Sequence, residues 1–222
     1  MIAITFALRA ESSRLTTQLR AAKIDQQIVL VHTGVGQKHC QIKIEEYLKN
    51  SRPDYLISSG FAGGVTEDLR AGDLVLAENF SDRQLLSTAE RVLAGQKVRT
   101  ITLFTAESII DSIAERNKIV KEHAAAAIDM ETEFITSACA AHGVRMLSLR
   151  VVSDTPHEPF PAPPAVLFDI EAQKPKSFRL GTYLVAHPTA IPRLLRFSRQ
   201  ISRARKNLTD ALVRLLETDL LG

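Results

Sequence analysis

The chain has 222 residues, of which 45% are hydrophobic and 24% are charged, a balance typical of a soluble globular protein. The two cysteines are too few for a disulfide framework or a four-ligand zinc site, and the six histidines show no metal-ligand spacing. No apolar run reaches the length of a membrane span. The formal net charge is +3, with the basic excess in the C-terminal tail and no motif that reads nucleic acid. The first residues also lack the pattern of a secretory signal. We therefore expect a cytoplasmic protein that needs no metal, no cofactor and no nucleic-acid partner.

Short apolar runs that suit buried strands alternate along the chain with segments of helical periodicity. Strands are predicted at 2–8, 28–34, 53–60, 72–80, 99–106, 125–130 and 144–154. Helices are predicted at 11–22, 38–49, 111–122 and 132–143. This alternation predicts an α/β fold with a mostly parallel central sheet.

Two further segments complete the chain. The segment 155–182 is rich in proline, which suits neither a central strand nor a helix interior. It predicts a surface loop with a short helix at Ala165–Asp169, or alternatively a lid, because it leaves directly from a candidate site residue, Asp154. Residues 188–218 carry an apolar stripe at helical spacing and predict a long amphipathic helix. That helix packs on the sheet with its arginines in solvent, or it touches anionic lipid.

In parallel α/β sheets, ligands bind beyond the carboxyl ends of the strands. Polar or glycine-rich groups follow most of the predicted strands: Arg9 with Glu11, Gly34–Gly36, Gly60–Gly64, Glu107, Asp129–Glu131 and Ser153–Asp154. Each group also has a purely structural interpretation, since glycines suit tight turns and carboxylates suit helix caps. The FAGG sequence at 61–64, in particular, suits a plain turn.

Three of these groups occur together in one order: SSGFAGGVTEDLRAGDLVL (58–76), AIDMETEF (127–134) and LRVVSDTP (149–156). In order, spacing and position they resemble the nucleoside phosphorylase and methylthioadenosine/adenosylhomocysteine nucleosidase superfamily. Its members show a Gly-(x)-Ala-Gly-Gly turn, a Gly-Asp strand, a Met-Glu pair at a helix start and a Ser-Asp pair at a strand end. Glu11 and the TGVG turn (33–36) fit the same pattern. The resemblance covers residues 1–155 and implies one phosphorylase-like domain over 1–222, with a three-layer α/β/α fold and a mixed, mostly parallel sheet.

A narrower resemblance involves the second half of the chain. DMET (129–132), the Pro-rich stretch after SDTP, and LVAHPTAIPRLLRFSRQ (184–200) look like the hopanoid-biosynthesis-associated branch of the superfamily. Proteins of that branch are described as phosphorylases, or as nucleosidases that remove adenine from adenosylhopane. Superfamily members are commonly dimers or higher oligomers, so the resemblance also implies a homo-oligomer.

The resemblance implies a role for the polar residues of the motifs. Asp154, held by Ser153, would protonate the leaving purine near N7, because cleavage of the C1′–N9 bond puts electron density on the base. Glu131 would grip the ribose hydroxyls and stabilise positive charge on the sugar, with Met130 packed on the sugar face. Glu11 would orient the attacking water.

Arg150 lies four residues before Asp154 on the same predicted strand. Side chains four residues apart on a strand share a face, so Arg150 is predicted to reach the carboxylate cluster. The remaining substrate contacts implied by the resemblance are Phe61, Ala62, Gly63, Ile109 and Ile110.

Two departures from the family pattern bear on the reaction. Phe61 stands where the family often has a hydroxyl residue. A phosphate dianion needs charged partners, and Arg9 is the only early arginine near a predicted strand end that could bind one. These features favour water over phosphate as the nucleophile. Ile109 stands where the nucleosidases stack a Phe on the purine, which suits a substrate with a different 5′ group.

These observations predict an N-glycosidase that releases adenine from a nucleoside with a large apolar 5′ substituent. Phe160, Val166, Leu167 and Phe168 are predicted to line a groove for that substituent, or else to pack on the core or on a partner subunit. Other functions stay open. They are a phosphate-dependent nucleoside phosphorylase, a futalosine- or methylthioadenosine-type nucleosidase, a nucleoside-binding module without turnover, and a membrane-surface scaffold.

Overall fold

The computed structural model describes residues 1–22, 27–163, 166, 168–169, 173–175, 177–218 and 220. Up to residue 154 its strands and helices mostly alternate, as the sequence predicts. The strands are β1 (Ile2–Phe6), β2 (Ile28–His32), β3 (Tyr55–Gly64), β4 (Leu74–Ala77), β5 (Val98–Ile101), β6 (Leu103–Thr105), β7 (Ala127–Asp129) and β8 (Arg145–Asp154), followed by the short β9 (Phe168–Asp169) and β10 (Lys174–Pro175). The helices are α1 (Arg9–Ala22), α2 (Gln37–Asn50), α3 (Arg83–Val92), α4 (Ile113–His123), α5 (Thr132–Ala141), α6 (Ser177–Ala186) and α7 (Ala190–Leu216).

The main sheet has the strand order β2–β1–β3–β8–β4–β5. Strands β2, β1, β3 and β8 are parallel neighbours, β4 is antiparallel to β8, and β5 is parallel to β4. Strands β6 and β7 form a parallel pair, and β7 joins the end of β3 in the antiparallel sense. The sheet is therefore mixed and mostly parallel, which confirms the predicted fold class.

Helices cover both faces of this sheet. On one face, α1, α3 and α7 pack on the strands through a buried cluster that includes Leu15, Leu85, Leu149, Leu208 and Leu212. On the other face, α2 and α5 pack through a second cluster that includes Cys40, Ile44, Leu56, Ile135 and Cys139. Burial of each large apolar side chain stabilises the fold by about 1.5–3 kcal/mol. The result is a three-layer α/β/α fold.

Strand β3 extends beyond its predicted end at residue 60 and includes the FAGG sequence, so the alternative of a plain turn there is excluded. The segment stays extended because two strands pair with it: Ala62 faces Val152 of β8, and Gly63 faces Ile128 of β7. A Cβ at Gly63 would lie 3.3 Å from Ile128 Cγ1, so this junction of three strands suits glycine.

Two predicted strands between residues 72 and 106 have different bounds in the structure. The strand predicted at 72–80 is limited to β4 and is followed by a 3₁₀ turn at Glu78–Phe80. The strand predicted at 99–106 is divided into β5 and β6, because β5 pairs with β4 whereas β6 pairs with β7. The change of partner between the two strands interrupts what the sequence presents as one extended run.

Helix α3 has no counterpart among the sequence predictions. Asp82 caps it, because its Oδ1 accepts from the backbone N–H groups of Gln84 at 2.9 Å and Leu85 at 3.1 Å. Leu85 and Ala89, one turn apart, are buried against the core. An aspartate followed by apolar residues at helical spacing is the sequence signal that predicts such a helix.

The Pro-rich segment 155–182 is only partly a loop. Strand β9 pairs with β10 in the antiparallel sense, and α6 follows directly. The short helix predicted at Ala165–Asp169 is wrong at its C-terminal end, where Phe168 and Asp169 are extended, while residues 165 and 167 lie outside the described residues. A short hairpin forms here because Phe168 and Asp169 find backbone partners in Lys174 and Pro175.

The helix predicted at 188–218 is present as α7. Its second half packs against the core through Ala204, Leu208, Leu212 and Leu215. Its first half is open, with Ile191 44% and Leu195 56% exposed. The predicted apolar stripe is therefore fully buried in the second half of the helix and only partly buried in the first. None of the helices among the described residues has the length and apolar character needed to span a membrane.

Candidate active site

A cavity of about 150 Å³ lies at the carboxyl ends of β1, β3 and β8, where the sequence predicts the site. The cavity is lined by ten of the residues predicted to form the site: Glu11, Phe61, Ala62, Gly63, Ile109, Ile110, Met130, Glu131, Ser153 and Asp154. Arg150, the remaining predicted residue, lies behind it in a smaller cavity. Arg116 and Asp129 also line the main cavity, although the sequence assigned neither a catalytic nor a substrate-binding role.

The lining of the cavity is acidic. Glu11, Asp129, Glu131 and Asp154 contribute carboxyl groups, whereas Arg116 contributes a guanidinium. Buried carboxyl groups hold their protons more tightly than exposed ones, because the ionised form loses its hydration and is repelled by neighbouring negative charge. Carboxyl groups whose pKa is raised in this way can serve as acids or bases in catalysis.

An irregularity in the sheet positions Asp154. Strands β3 and β8 pair residue for residue up to Ala62 and Val152, and then Gly63 faces Asp154, so Ser153 is an extra residue on β8. Bulges of this kind re-aim the side chains beyond them and are frequent next to active sites. Ser153 and Asp154 are both buried.

Both carboxyl oxygens of Asp154 are held by hydrogen bonds. The Ser153 hydroxyl donates to Oδ1 at 2.6 Å, so the predicted contact between these two residues is present. The Arg116 guanidinium forms a buried ion pair with Oδ2. Burial raises the pKa of Asp154, and the Arg116 charge and the hydrogen bonds oppose that rise.

Arg116 reaches the cavity from α4. Its Nη1 donates to the Gly64 carbonyl at 2.8 Å and its Nη2 donates to the Ile110 carbonyl at 3.1 Å, so the side chain also joins α4 to the end of β3. The sequence signal for this residue is weak. In IAERNKIVKEH it lies among charged residues, and only its helical spacing to the buried Ile119 indicates an inward position.

Glu131 and Glu11 are buried carboxyl groups that accept backbone hydrogen bonds. The Gly36 N–H donates to Glu131 Oε1 at 2.8 Å, and the Leu8 N–H donates to Glu11 Oε2 at 3.1 Å. Burial raises the pKa of Glu11 to about 7. Burial and then the charge of Asp129 raise the pKa of Glu131 to about 8. Both groups therefore titrate near neutral pH.

The TGVG turn after β2 provides the backbone donor to Glu131. Gly36 has a φ of 83°, in the left-handed region that favours glycine. The turn places the Gly36 N–H directly before α2, where the positive end of the helix dipole favours a carboxylate. Any other residue at Gly36 would strain this turn and disturb the position of Glu131.

Arg150 organises a buried network behind the main cavity. Its Nε donates to Asp129 Oδ2 at 3.0 Å, and its Nη2 donates to Ser58 Oγ at 2.8 Å and to Thr132 Oγ1 at 2.7 Å. Asp129 also accepts from the Thr132 N–H at the start of α5 and from Thr105 Oγ1 at 3.0 Å. The direct carboxylate partner of Arg150 is therefore Asp129, which lies outside the set that the sequence assigned to catalysis.

The smaller cavity, of about 20 Å³, is lined by Glu11, Glu131 and Arg150 together with Thr5 and Ser59. Arg150 Nη1, Thr5 Oγ1 and Ser59 Oγ are buried and have no hydrogen-bond partner among the described residues. The volume is that of one water molecule, and these atoms provide the polar partners that a buried water needs. The charge of Arg150 lowers the pKa values of Glu11 and Glu131, against the larger effect of burial.

Phe160 connects the main cavity to a wider groove of about 430 Å³. It lines both, and its ring meets that of Phe197 edge to face, with 5.6 Å between the ring centroids. Residues 157–161 form one side of the groove, and the side chains from α7 that line it are Arg193, Arg196, Phe197 and Gln200. Gln200 also joins α7 to the site, because its amide donates to the Ser153 carbonyl at 2.9 Å.

The comparison with known proteins agrees with this fold. The chain matches the Phosphorylase superfamily over residues 9–92 and 78–181 and belongs to that superfamily. A 5′-methylthioadenosine/S-adenosylhomocysteine nucleosidase of Staphylococcus aureus is 23% identical over 158 aligned positions, and the alignment covers 59% of this chain and 69% of that protein.

Solved structures with the same fold cover nearly the whole chain. The 5′-methylthioadenosine/S-adenosylhomocysteine nucleosidase of Campylobacter jejuni superposes with a TM-score of 0.71 at 18% identity, covering 97% of this chain and 98% of that chain. The futalosine hydrolase of Helicobacter pylori superposes with a TM-score of 0.70 at 14% identity, covering 97% of each chain. At these identities the similarity shows the three-layer fold.

We expect Asp154→Asn to retain the fold and to lose about 10²–10⁴-fold in turnover, the usual contribution of a general acid. The amide has nearly the same shape as the carboxyl group but has no acidic proton to give to a leaving base. Base release from a purine nucleoside and the melting temperature of the same preparation provide the test. The control is Asp68→Asn, because Asp68 is an exposed aspartate that is also paired with an arginine, Arg99. Near-normal turnover of Asp154→Asn would remove Asp154 from the mechanism.

Glu131→Gln is expected to lower kcat more than it changes KM. Glutamine keeps the size and hydrogen-bonding reach of Glu131 but lacks the charge that would stabilise a cationic transition state. Steady-state kinetics of base release measure both constants, with Glu133→Gln as the matched control on an exposed position of α5. An increase in KM with unchanged kcat would show that Glu131 binds substrate without taking part in the chemical step.

Proposed function

We propose that this protein hydrolyses the N-glycosidic bond of a purine nucleoside and releases adenine, and that its nucleoside carries a large apolar 5′ substituent, as adenosylhopane does. The observation that carries this proposal is the presence of three buried carboxyl groups, from Asp154, Glu131 and Glu11, around one cavity. Membership of the superfamily and the similarity to a nucleosidase support the same class of reaction.

Each carboxyl group has a separate task in this reaction. Asp154 gives a proton to N7 of the purine as the C1′–N9 bond breaks, so that the base leaves as a neutral molecule. Glu131, when ionised, stabilises the positive charge that develops on the ribose. Water attacks C1′ and passes a proton to Glu11, whose pKa of about 7 suits a base near neutral pH.

Charge and size favour water over phosphate as the nucleophile. Carboxyl groups outnumber guanidinium groups among the described residues around the main cavity, which opposes a phosphate dianion. The small cavity beside Glu11 has the volume of one water. Arg150, which lines it, is already paired with Asp129, whereas a bound phosphate needs charged donors of its own.

The groove beside Phe160 supports an apolar 5′ substituent. Ile109, Ile110 and Phe160 give the main cavity apolar walls, and Phe197 continues the apolar surface into the groove. The other residues that the sequence predicted for this groove contribute less to the proposal. Val166 is half-buried, Leu167 lies outside the described residues, and of Phe168 the backbone alone is described.

A series of 5′-alkyl adenosines, assayed with and without phosphate, tests the proposed function. We expect adenine release without phosphate and a kcat/KM that rises about fourfold for each added methylene, since a buried methylene contributes about 0.8 kcal/mol. Phe160→Ala should flatten this dependence, whereas Ile42→Ala, on an exposed position of α2, should not. A flat series for the unaltered protein contradicts the 5′ groove, and a requirement for phosphate identifies a phosphorylase instead.

Other functions give different results in the same assay. A futalosine- or methylthioadenosine-type nucleosidase would turn over futalosine or methylthioadenosine in preference to the longer alkyl compounds. A nucleoside-binding module would bind these compounds and release no adenine. Each of these outcomes would replace the proposed substrate or the proposed reaction.

We also propose that the first half of α7 contacts an anionic membrane surface. Ile191 and Leu195 are exposed one turn apart, and Arg199 and Arg203 continue the same spacing along the helix. Between residues 190 and 209 the sequence has no acidic residue. Helices that combine apolar and basic residues in this way bind anionic lipid interfaces.

The groove beside Phe160 is lined by the same half of α7, so a lipid-like nucleoside would meet the enzyme at that surface.

Co-sedimentation with vesicles tests the membrane contact. We expect binding to phosphatidylglycerol vesicles at low salt, weaker binding at high salt, and little binding to phosphatidylcholine. The double variant Ile191→Ser/Leu195→Ser should lose most of the binding, and Ile42→Ser should retain it. Absence of binding to anionic vesicles at low salt contradicts the proposal. A change in the oligomeric state of the double variant would instead assign this face to the contact between subunits of the predicted homo-oligomer.

A further inference from the structure

Arg116 is a buried charge in the cavity to which the proposed reaction assigns no task. Its side chain and that of Asp154 are each 2% exposed, and the two form an ion pair that joins α4 to the end of β8. The carbonyl groups of Gly64 and Ile110 accept from the same guanidinium. These contacts fix the position and orientation of the Arg116 guanidinium beside the Asp154 carboxyl group.

The surroundings of Asp154 are otherwise acidic. Asp111, from the loop before α4, is an acidic group whose charge favours retention of the Asp154 proton. Glu11, Asp129 and Glu131 are the other carboxyl groups around the same cavity. Burial also favours the protonated form and is the largest influence on the pKa of Asp154. Arg116 is the main group that opposes it, because a positive charge stabilises the ionised carboxylate.

We propose that Arg116 is a positioning residue that stabilises the carboxylate formed when Asp154 gives its proton to the purine. This inference rests on the proposed role of Asp154 as the acid. As the proton moves to N7, negative charge develops on Asp154 in a cavity that already holds other carboxyl groups. Arg116 is aligned with that charge before the reaction begins, and such pre-oriented groups lower the energy of the transition state. Without Arg116, Asp154 would hold its proton too tightly to transfer it to a weakly basic ring nitrogen.

The test compares Arg116→Met and Arg116→Lys with Arg99→Met, which breaks an exposed arginine–aspartate pair with Asp68. The first measurement follows the titration of Asp154 in the ligand-free protein by carbon-13 NMR of carboxyl-labelled aspartate, with Asp154→Asn to assign the signal. The second is the pH profile of kcat/KM with a 5′-alkyl adenosine. A decrease in kcat/KM at high pH reports loss of the proton from the acid.

In Arg116→Met, the midpoint of the Asp154 titration should rise by about one pH unit or more, since an adjacent opposite charge lowers a carboxyl pKa by roughly that amount. The high-pH limb of kcat/KM should move in the same direction, and kcat should decrease at least tenfold. Arg116→Lys should lie between this variant and the unaltered protein, whereas Arg99→Met should match the unaltered protein.

An unchanged Asp154 midpoint in folded Arg116→Met overturns the inference. A loss of activity without a shift of the pH limb also overturns it, because that pattern identifies Arg116 as a structural brace only. If Arg116→Met does not fold, Arg116→Gln takes its place, since glutamine retains donors for the Gly64 and Ile110 carbonyls but has no charge. A shifted midpoint in a protein that releases no base from any nucleoside would uphold the control of Asp154 by Arg116 and reject the proposed function.

Discussion

Burial of several carboxyl groups in one cavity is the constraint around which this site is built. A carboxylate that is buried away from water is strongly destabilised unless a positive charge pairs with it or it takes up a proton. The structure resolves this in different ways for neighbouring groups. Asp129 is paired with Arg150. Arg116, beside Asp154, opposes the rise that burial causes in the pKa of Asp154. Glu131 accepts a single backbone hydrogen bond among the described contacts, and its pKa is raised to about 8.

Residues of the same chemical type therefore acquire different properties from their surroundings. The carboxyl group of Asp129 acts within the fold, because with Arg150 it connects β7, β8 and the start of α5. The groups of Glu11 and Glu131 titrate near neutral pH, where a change of protonation has a chemical use. These differences follow from how deeply each carboxyl group is buried and from the groups that pair with it. Strand register and two buried arginines, Arg116 and Arg150, determine both.

Local patterns in the sequence predict most of the strands and helices and place Glu131, Ser153 and Asp154 near strand ends, whereas the roles of these residues are implied by the resemblance to the superfamily. The periodicity of apolar residues is sufficient for this because each element is a short, continuous segment. The pairing of Arg116 with Asp154 was missed, since α4 and β8 meet only in the tertiary structure. The extension of β3 through FAGG has a related cause: glycine-rich sequences suit turns in isolation, and the strands on both sides keep these residues extended. The helix at Asp82 was missed although its cap is visible in the sequence.

The pairing of β3 with β8 has a consequence for how the molecule acquires its activity. These two strands are far apart in the sequence, and Tyr55 pairs with Arg145 while Gly63 pairs with Asp154. Contacts between distant segments form slowly, because a long loop must close before they are made. The segments that carry Arg116 and Glu131 lie within that loop. We therefore expect the candidate site to be among the last parts of the molecule to assemble, so that recovery of base release during refolding would report completion of the sheet rather than formation of any one helix.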